Sequence, residues 1–360
     1  MMMKNRELIL YFIWVAFFCT LPINAQKRNS DVYKHPEMSH VYQREIIHIP
    51  DLKGYITLKC DFHTHTVFSD GKVWPTVRVD EAWNDGLDAI AITDHIEYRP
   101  NQKVVVADLN KSNEIAVKQG EDIDMIVIKG TEITRKKPIG HLNALFIQDV
   151  NKMKLDDPVA AIDEAIRQGA FIMWNHPGWP NDTSTMYNIH KELIQKKKIN
   201  GVEIFGNNFD LYPKVIEWCK KTGLTVMGNS DIHYTVANTY GLEKMARPMT
   251  LVFAKERTAR GIKEALFAGR TLVYFFKNLA GREDLMTELV TNSVSVKKLS
   301  NKKNMFEITN NSDIEYHITY GDRLGILLPN KILRITLPTD RKVKFMNCFV
   351  GENQNLILKL

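Results

Sequence analysis

Cysteine is scarce in this chain, with four in 360 residues: Cys19, Cys60, Cys219 and Cys348. Spread that far apart, they supply no disulfide framework. Cys19 lacks the small neighbours of a lipid-attachment box. Concentrated charge of one sign is also missing. The formal net charge of +6 is partly held in the N-terminal segment and in Lys196-Lys197-Lys198, which reads as a solvated helix end. No basic stripe is present, so no nucleic-acid partner is expected. Long apolar runs are absent too. The one candidate, residues 8–21, is short for a membrane span. With Lys4 and Arg6 before it and Pro22 and Ala25 after it, it reads as a secretory signal peptide covering residues 1–25. That predicts export, to a bacterial periplasm, and no stable membrane insertion after cleavage. At 44% hydrophobic and 25% charged residues the chain is not of disordered composition.

What is present is a repeating alternation of short apolar runs and amphipathic stretches. Ile46, Ile47 and Ile49 make a short strand candidate. Residues 56–60 form a strand leading to His63 and His65, whose side chains share one direction because strand side chains repeat every two residues. Ser69-Asp70-Gly71 turns the chain, Pro75 opens a helix and Gly86 closes it. A second run, 89–93, ends in Asp94-His95. Further strands are predicted at 125–129, 142–147, 171–174, 202–205, 225–227 and 250–253, separated by helices that include one capped by Asp157, one at 213–223 and one at 258–269. Strands alternating with helices predict a parallel sheet of an α/β protein. Ligand residues at several strand ends, rather than around one crevice, predict closure into a barrel over residues 26–283. From 284 to 360 the helical period is lost and short alternating runs predict a small β-sandwich-like domain.

Of the 11 histidines, His63, His65, His95, His141, His176 and His233 fall at predicted strand ends or in the loops beside them. Asp70, Glu132 and Asp231 accompany them. A barrel would gather these nine on one rim. Imidazoles mixed with carboxylates and without thiolates suit Mn, Zn or Fe(II) and disfavour a structural zinc site. Nine donors exceed one ion and serve two or three, with positions left for water and substrate. Adjacent ions of that kind match hydrolysis, with phosphate esters preferred.

The set His63-x-His65, Ser69-Asp70-Gly71, Thr93-Asp94-His95, Gly130-Thr131-Glu132, Gly140-His141, Asn175-His176-Pro177 and Ser230-Asp231-x-His233 resembles the PHP (polymerase and histidinol phosphatase) superfamily over about residues 46–276. Longer stretches around these motifs, together with the leader and the β-rich tail, are similar to the Sb-PDE family of exported phosphodiesterases. The resemblance implies a distorted (β/α)7 barrel with up to three metals. It places His63, His65, Glu132 and Asp231 on the first, Glu132 with His141 and His176 on the second, and Asp70, His95 and His233 on the third. Asp94 would orient an imidazole. A hydroxide bridging the first two metals would attack phosphorus in a phosphate diester, with Asp231 taking or steering its proton. Arg135 and Arg99 are the candidates to neutralise a phosphoryl oxygen, and Tyr98 and Trp179 to line a pocket for the ester's apolar group.

The expected partner is therefore a small-molecule phosphate ester. Three other functions share the residues: a phosphomonoesterase of the histidinol phosphatase type, a metallohydrolase of C–N or C–O bonds, and a metal-holding envelope protein without catalysis.

Overall fold

The computed structural model describes residues 43–181, 183–206, 210–299 and 304–360; the expected signal peptide lies outside them. Residues 43–50 contain no strand. Ile47 and Ile49 are buried there while Ile46 is exposed, so the segment is a lining strip rather than a paired one.

Strand β1 (Ile56–Asp61) delivers the first histidines. Helix α1 (Pro75–Asn84) follows, with Pro75 in its first turn, where the missing N–H costs no helical bond. The chain leaves it through Gly86 at φ +83°, where a Cβ would come within 2.6 Å of the Glu45 carbonyl oxygen. Then come β2 (Ala89–Ile92), α2 (Lys111–Asp122), β3 (Ile126–Thr134) and β4 (His141–Leu145). The next helix, α3 (Pro158–Arg167), is capped by Asp157, whose side chain accepts from the Val159 N–H. After it run β5 (Phe171–Trp174), α4 (Asn188–Gln195), β6 (Gly201–Gly206), β7 (Asp210–Leu211), α5 (Pro213–Thr222), β8 (Thr225–Gly228) and α6 (Val236–Tyr240). The last units of this part are β9 (Met249–Ala254), α7 (Ala259–Phe267), β10 (Thr271–Phe275) and β11 (Asn278–Gly281).

The sheet these strands make is mixed. β1, β2 and β3 are parallel neighbours, as are β5, β6 and β8. β3–β4 and β4–β5 pair antiparallel, and so do β1–β9, β9–β10 and β10–β11. The uniform parallel barrel expected from the alternation is therefore not what forms: hairpins β3–β4, β6–β7 and β10–β11 interrupt it, and the turns at residues 135–140 and 276–277 are too short to carry a crossover helix. Nor, among the described residues, does a backbone ladder close the sheet. Side chains span the remaining seam. The Thr250 hydroxyl lies 3.0 Å from the Gly228 N–H and 2.8 Å from its carbonyl oxygen, and the Thr271 hydroxyl donates to the Val226 carbonyl at 2.6 Å. Leu58, Cys60, Phe62, Ala91, Ile128, Met173, Met227 and Val252 belong to one buried cluster.

The C-terminal part departs further from expectation. It opens with a helix, α8 (Glu283–Ser293), which buries Leu285, Met286, Leu289 and Val290 on one face; interleaved Thr287, Thr291 and Asn292 had hidden that period. The strands β12 (Val294–Lys298), β13 (Met305–Asn310), β14 (Tyr316–Tyr320), β15 (Arg323–Leu327), β16 (Ile332–Thr336), β17 (Lys342–Gly351) and β18 (Gln354–Lys359) follow. Only β12, β13 and β16 form a sheet of their own. The rest extend the large sheet through the parallel pairing of β11 with β17. Met249, Leu251 and Phe253 of β9 share one core with Tyr316, Phe345 and Cys348. The segment is thus not purely β, and the core between its two sheets runs on into that of β9.

Candidate metal centre

The strands β1, β2, β3, β4, β5 and β8 bring the nine singled-out side chains to one place. His63 and His65 lie just past β1, Asp70 in the turn after them, His95 past β2, Glu132 within β3, His141 at the start of β4, His176 past β5, and Asp231 and His233 past β8. Gly71 lets the turn fold back, since a Cβ there would lie 2.6 Å from the backbone of His65 and Thr66. His176 and Asp231 both take positive φ, +23° and +50°. Such backbone is costly for residues with a Cβ, by about 1–3 kcal/mol each, and persists where surrounding structure holds it.

Glu132 sits at the middle. Its Oε2 lies 2.8 Å from His95 Nδ1, 3.5 Å from His65 Nε2 and 3.6 Å from His63 Nε2. Its Oε1 faces the other way, 2.9 Å from His141 Nδ1 and 3.8 Å from His176 Nε2. Asp231 Oδ1 is shared between His63 Nε2 at 3.1 Å and His65 Nε2 at 3.0 Å. Asp70 Oδ1 lies 3.2 Å from His233 Nε2 and 3.4 Å from His95 Nε2. Three groups have donor atoms mutually within 4.8 Å: His65, Asp70, His95 and His233; His63, His65 and Asp231; and His63, Glu132 and His176.

Despite these short distances, His63 Nε2, His65 Nε2, Asp70 Oδ1, Glu132 Oε2 and His141 Nδ1 are buried without a hydrogen-bond partner among the described residues. Buried polar atoms are normally satisfied. Five unsatisfied ones turned toward a common space, all of them nitrogen or carboxylate oxygen, fit a bound cation.

The charge balance says the same. Burial would strip the proton from His95, but Glu132 and Asp70 outweigh it and push the imidazole up to about 10. His63 is likewise lifted above its ordinary value, by Asp231, Glu203 and Glu132 against its burial. Burial opposes ionisation of Glu132 and Asp231, yet the surrounding imidazoles hold both well below the usual carboxylate range. His65 falls to about 4 through burial and its neighbours His233 and His95. This field keeps positive charge in place, and protons and a metal ion compete for it.

A surrounding set of residues, not found by sequence reasoning, fixes these donors. Glu203 accepts from the Asn229 amide at 3.0 Å and the His176 N–H at 2.8 Å, and its Oε1 is 3.0 Å from His63 Nδ1. Thr134 and Ser69 hydroxyls stand 2.6 and 3.4 Å from the Nδ1 atoms of His95 and His65. Asn175 donates to Glu132 Oε1 at 2.9 Å. Arg78 is fully buried and donates to the carbonyls of His65 and Ile232, tying the β1 and β8 ends together. Asp61, paired with buried Arg247, accepts from the Ser230 N–H and hydroxyl beside Asp231. A lone Glu in the apolar strand GVEIFG, and an Arg on the apolar face of α1, were the available signals.

Three assignments change. Asp94 does not touch an imidazole; it accepts from the Thr66 N–H and hydroxyl and from Ser69, and reaches His65 only through Ser69. Arg99 spends its guanidinium on the carbonyls of Phe68, Val106 and Ala107. Arg135 is paired with Glu97 at 2.8 Å and donates to the carbonyls of Leu155 and Asp156. Arg99 is thus spent on loop backbone, and Arg135 on Glu97 and loop backbone except for its Nε, which is buried without a partner among the described residues. Trp179 is 40% exposed, with its ring 5.1 Å from His141 and 5.5 Å from His176. Tyr98 stands edge-on to His95 at 5.9 Å.

No family model matches the sequence. A solved two-domain protein from Bacteroides vulgatus, described as containing a predicted PHP-like metal-dependent phosphoesterase, is 41% identical and superimposes with a TM-score of 0.84 over 88% of this chain and 98% of its own. An uncharacterised protein of Methanocaldococcus jannaschii is 42% identical over 81 residues, 22% of this chain. The match spans 36% of that relative's length.

Proposed function

The chain belongs to the PHP-like metal-dependent phosphoesterases, and from that premise we propose that it is an exported phosphodiesterase using two or three divalent ions, Mn, Zn or Fe. The observation that carries the reading is the convergence of five imidazoles, His63, His65, His95, His141 and His176, on the two oxygens of Glu132, with Asp231 and the Asp70–His233 pair beside them. His63, His65, Glu132 and Asp231 would hold one ion, Glu132 with His141 and His176 a second, and Asp70, His95 and His233 a third. Bound there, divalent ions supply Lewis acidity toward phosphoryl oxygens and lower the pKa of a water.

The chain's own residues do the rest. Asp231, kept ionised by the surrounding imidazoles, accepts a hydrogen bond from the attacking water and steers its proton. Glu203 holds His63 and the His176 backbone, so the donors need no rearrangement when substrate enters. Trp179 screens one side from solvent. Two features favour a diester over a monoester. Arg99 is spent on loop carbonyls and Arg135 is neutralised by Glu97, which leaves little positive charge from either for a dianion, and a cavity beside His141 and His176 offers room for a second ester group. The Thr250 and Thr271 seam is read as the closure line of a distorted PHP barrel.

With Mn²⁺-loaded protein, kcat/KM is expected to be larger for bis(p-nitrophenyl) phosphate than for p-nitrophenyl phosphate; the reverse order would replace the diesterase by a phosphomonoesterase. For export, the residues 1–25 leader predicts a periplasmic form beginning at Gln26, read by N-terminal sequencing.

A further inference from the structure

A cavity of about 360 Å³ opens beside the metal centre, with His141 and His176 in its wall. The rest of the lining is largely apolar and aromatic, including Ile139, Trp174, Trp179 and Tyr187. Arg135, Lys136 and Lys137 break that pattern; Lys136 is exposed and Arg135 is paired with Glu97, with its Nε alone buried and unpartnered among the described residues. Lys137 has its Nζ shut off from solvent with no hydrogen-bond partner among the described residues. An ammonium withdrawn from water without a counter-charge is unfavourable, so a site of this kind is complete only with an anion.

The neighbouring histidine does not fill that place. His190 accepts the Tyr187 N–H on Nδ1 at 3.2 Å, and its Nε2 lies 2.8 Å from the Ile139 carbonyl oxygen, to which it donates. Both ring nitrogens are used, the imidazole is neutral, and no lone pair remains for Lys137. Its ring stacks on Trp174 at 3.8 Å. His190 therefore clamps the two loops that form the cavity, the one carrying Lys137 to Ile139 and the one ending at Tyr187. The walls are preset around a flat occupant.

Resting on the phosphodiesterase reading, we propose that this cavity is the subsite for one ester substituent of the substrate: an aromatic alcohol, stacked against Trp179 and Tyr187, whose anionic group is read by Lys137. Continuity with His141 and His176 makes it the position next to phosphorus. The volume suits one ring system, and the single buried ammonium suits one negative charge. Lys137 is a specificity residue in this account; it touches the substituent and not the reacting atoms.

Calorimetric titration of the Mn²⁺-loaded protein with 4-hydroxybenzoate and with phenol tests it. Wild-type protein is expected to bind 4-hydroxybenzoate about tenfold or more tighter than phenol, the scale of one charge-assisted hydrogen bond. Lys137→Met should erase that ratio, Lys137→Arg should keep most of it, and Trp179→Ala should weaken both ligands together. Equal affinities for the two ligands in wild type, or a ratio unchanged in Lys137→Met, would overturn the subsite. Hydrolysis of bis(p-nitrophenyl) phosphate by the same samples separates the two levels. Turnover with equal affinities defeats the subsite alone, whereas charge-selective binding without turnover of any diester defeats the phosphodiesterase reading and with it the leaving-group role.

Discussion

The two sides of the mouth differ in how tightly they are filled. On one side His65 stacks on His95 and His233 with ring centroids 4.4 and 4.2 Å apart, and Asp70 closes the group. On the other, His141 and His176 stand 5.0 Å apart beside Trp179 and an open cavity. Donor density on the crowded side is suited to gripping a cation. Space on the roomy side is suited to admitting a substrate, and Glu132 presents one oxygen to each. Both walls offer metal donors, and only the roomy one leaves open space beside them.

Replacing the shared residue should do most damage. Glu132→Gln is expected to lower kcat/KM for bis(p-nitrophenyl) phosphate by more than about 100-fold, above the roughly 10–100-fold typical of residues that only support ligands. Metal content should fall with it. On the crowded side alone, Asp70→Asn or Gly71→Ala should cost one metal equivalent, with the roomy side keeping its ions; equal loss from both sides would dissolve the distinction. The supporting residues come next. Glu203→Gln and Arg78→Met should each reduce activity or metal affinity by roughly 10–100-fold, and a KM increase with kcat intact would argue instead for a direct role in binding substrate. Arg99→Met should act on stability, by about 1–3 kcal/mol for carbonyls left without donors, measured in urea, with little change in kcat.

The pH response has a definite sign. His63 and His95 hold protons above the usual imidazole range, and coordination requires the neutral ring. Metal uptake at neutral pH must therefore release protons, and apparent affinity should rise with pH. Titrations in two buffers of different ionisation enthalpy would read the release directly; identical heats would contradict it.

The gathering of the nine side chains was legible because each is announced locally, by a strand end or adjoining loop reading His-x-His, Ser-Asp-Gly, Asp-His, Gly-Thr-Glu, Gly-His, Asn-His-Pro or Ser-Asp-x-His. The residues that hold them were not. Glu203 looks like a misplaced charge in a strand until His63 is brought to it across 140 residues, and Arg247 finds Asp61 across 186. Strand positions were readable from apolar runs, but the hairpins β3–β4 and β10–β11 were not, since a strand's own side-chain pattern does not state its neighbour's direction. The tail's attachment was hidden for a related reason: its strands read the same whether they form their own sheet or extend another, and the β11–β17 pairing decides.

The most direct test is elemental analysis of purified protein after dialysis against metal-free buffer, alongside Glu132→Gln and His63→Ala. Two or more equivalents of Mn, Zn or Fe in the wild type, falling in both variants, is the predicted result. Less than one equivalent in the wild type, unchanged by either substitution, would contradict a metal centre built on these nine residues.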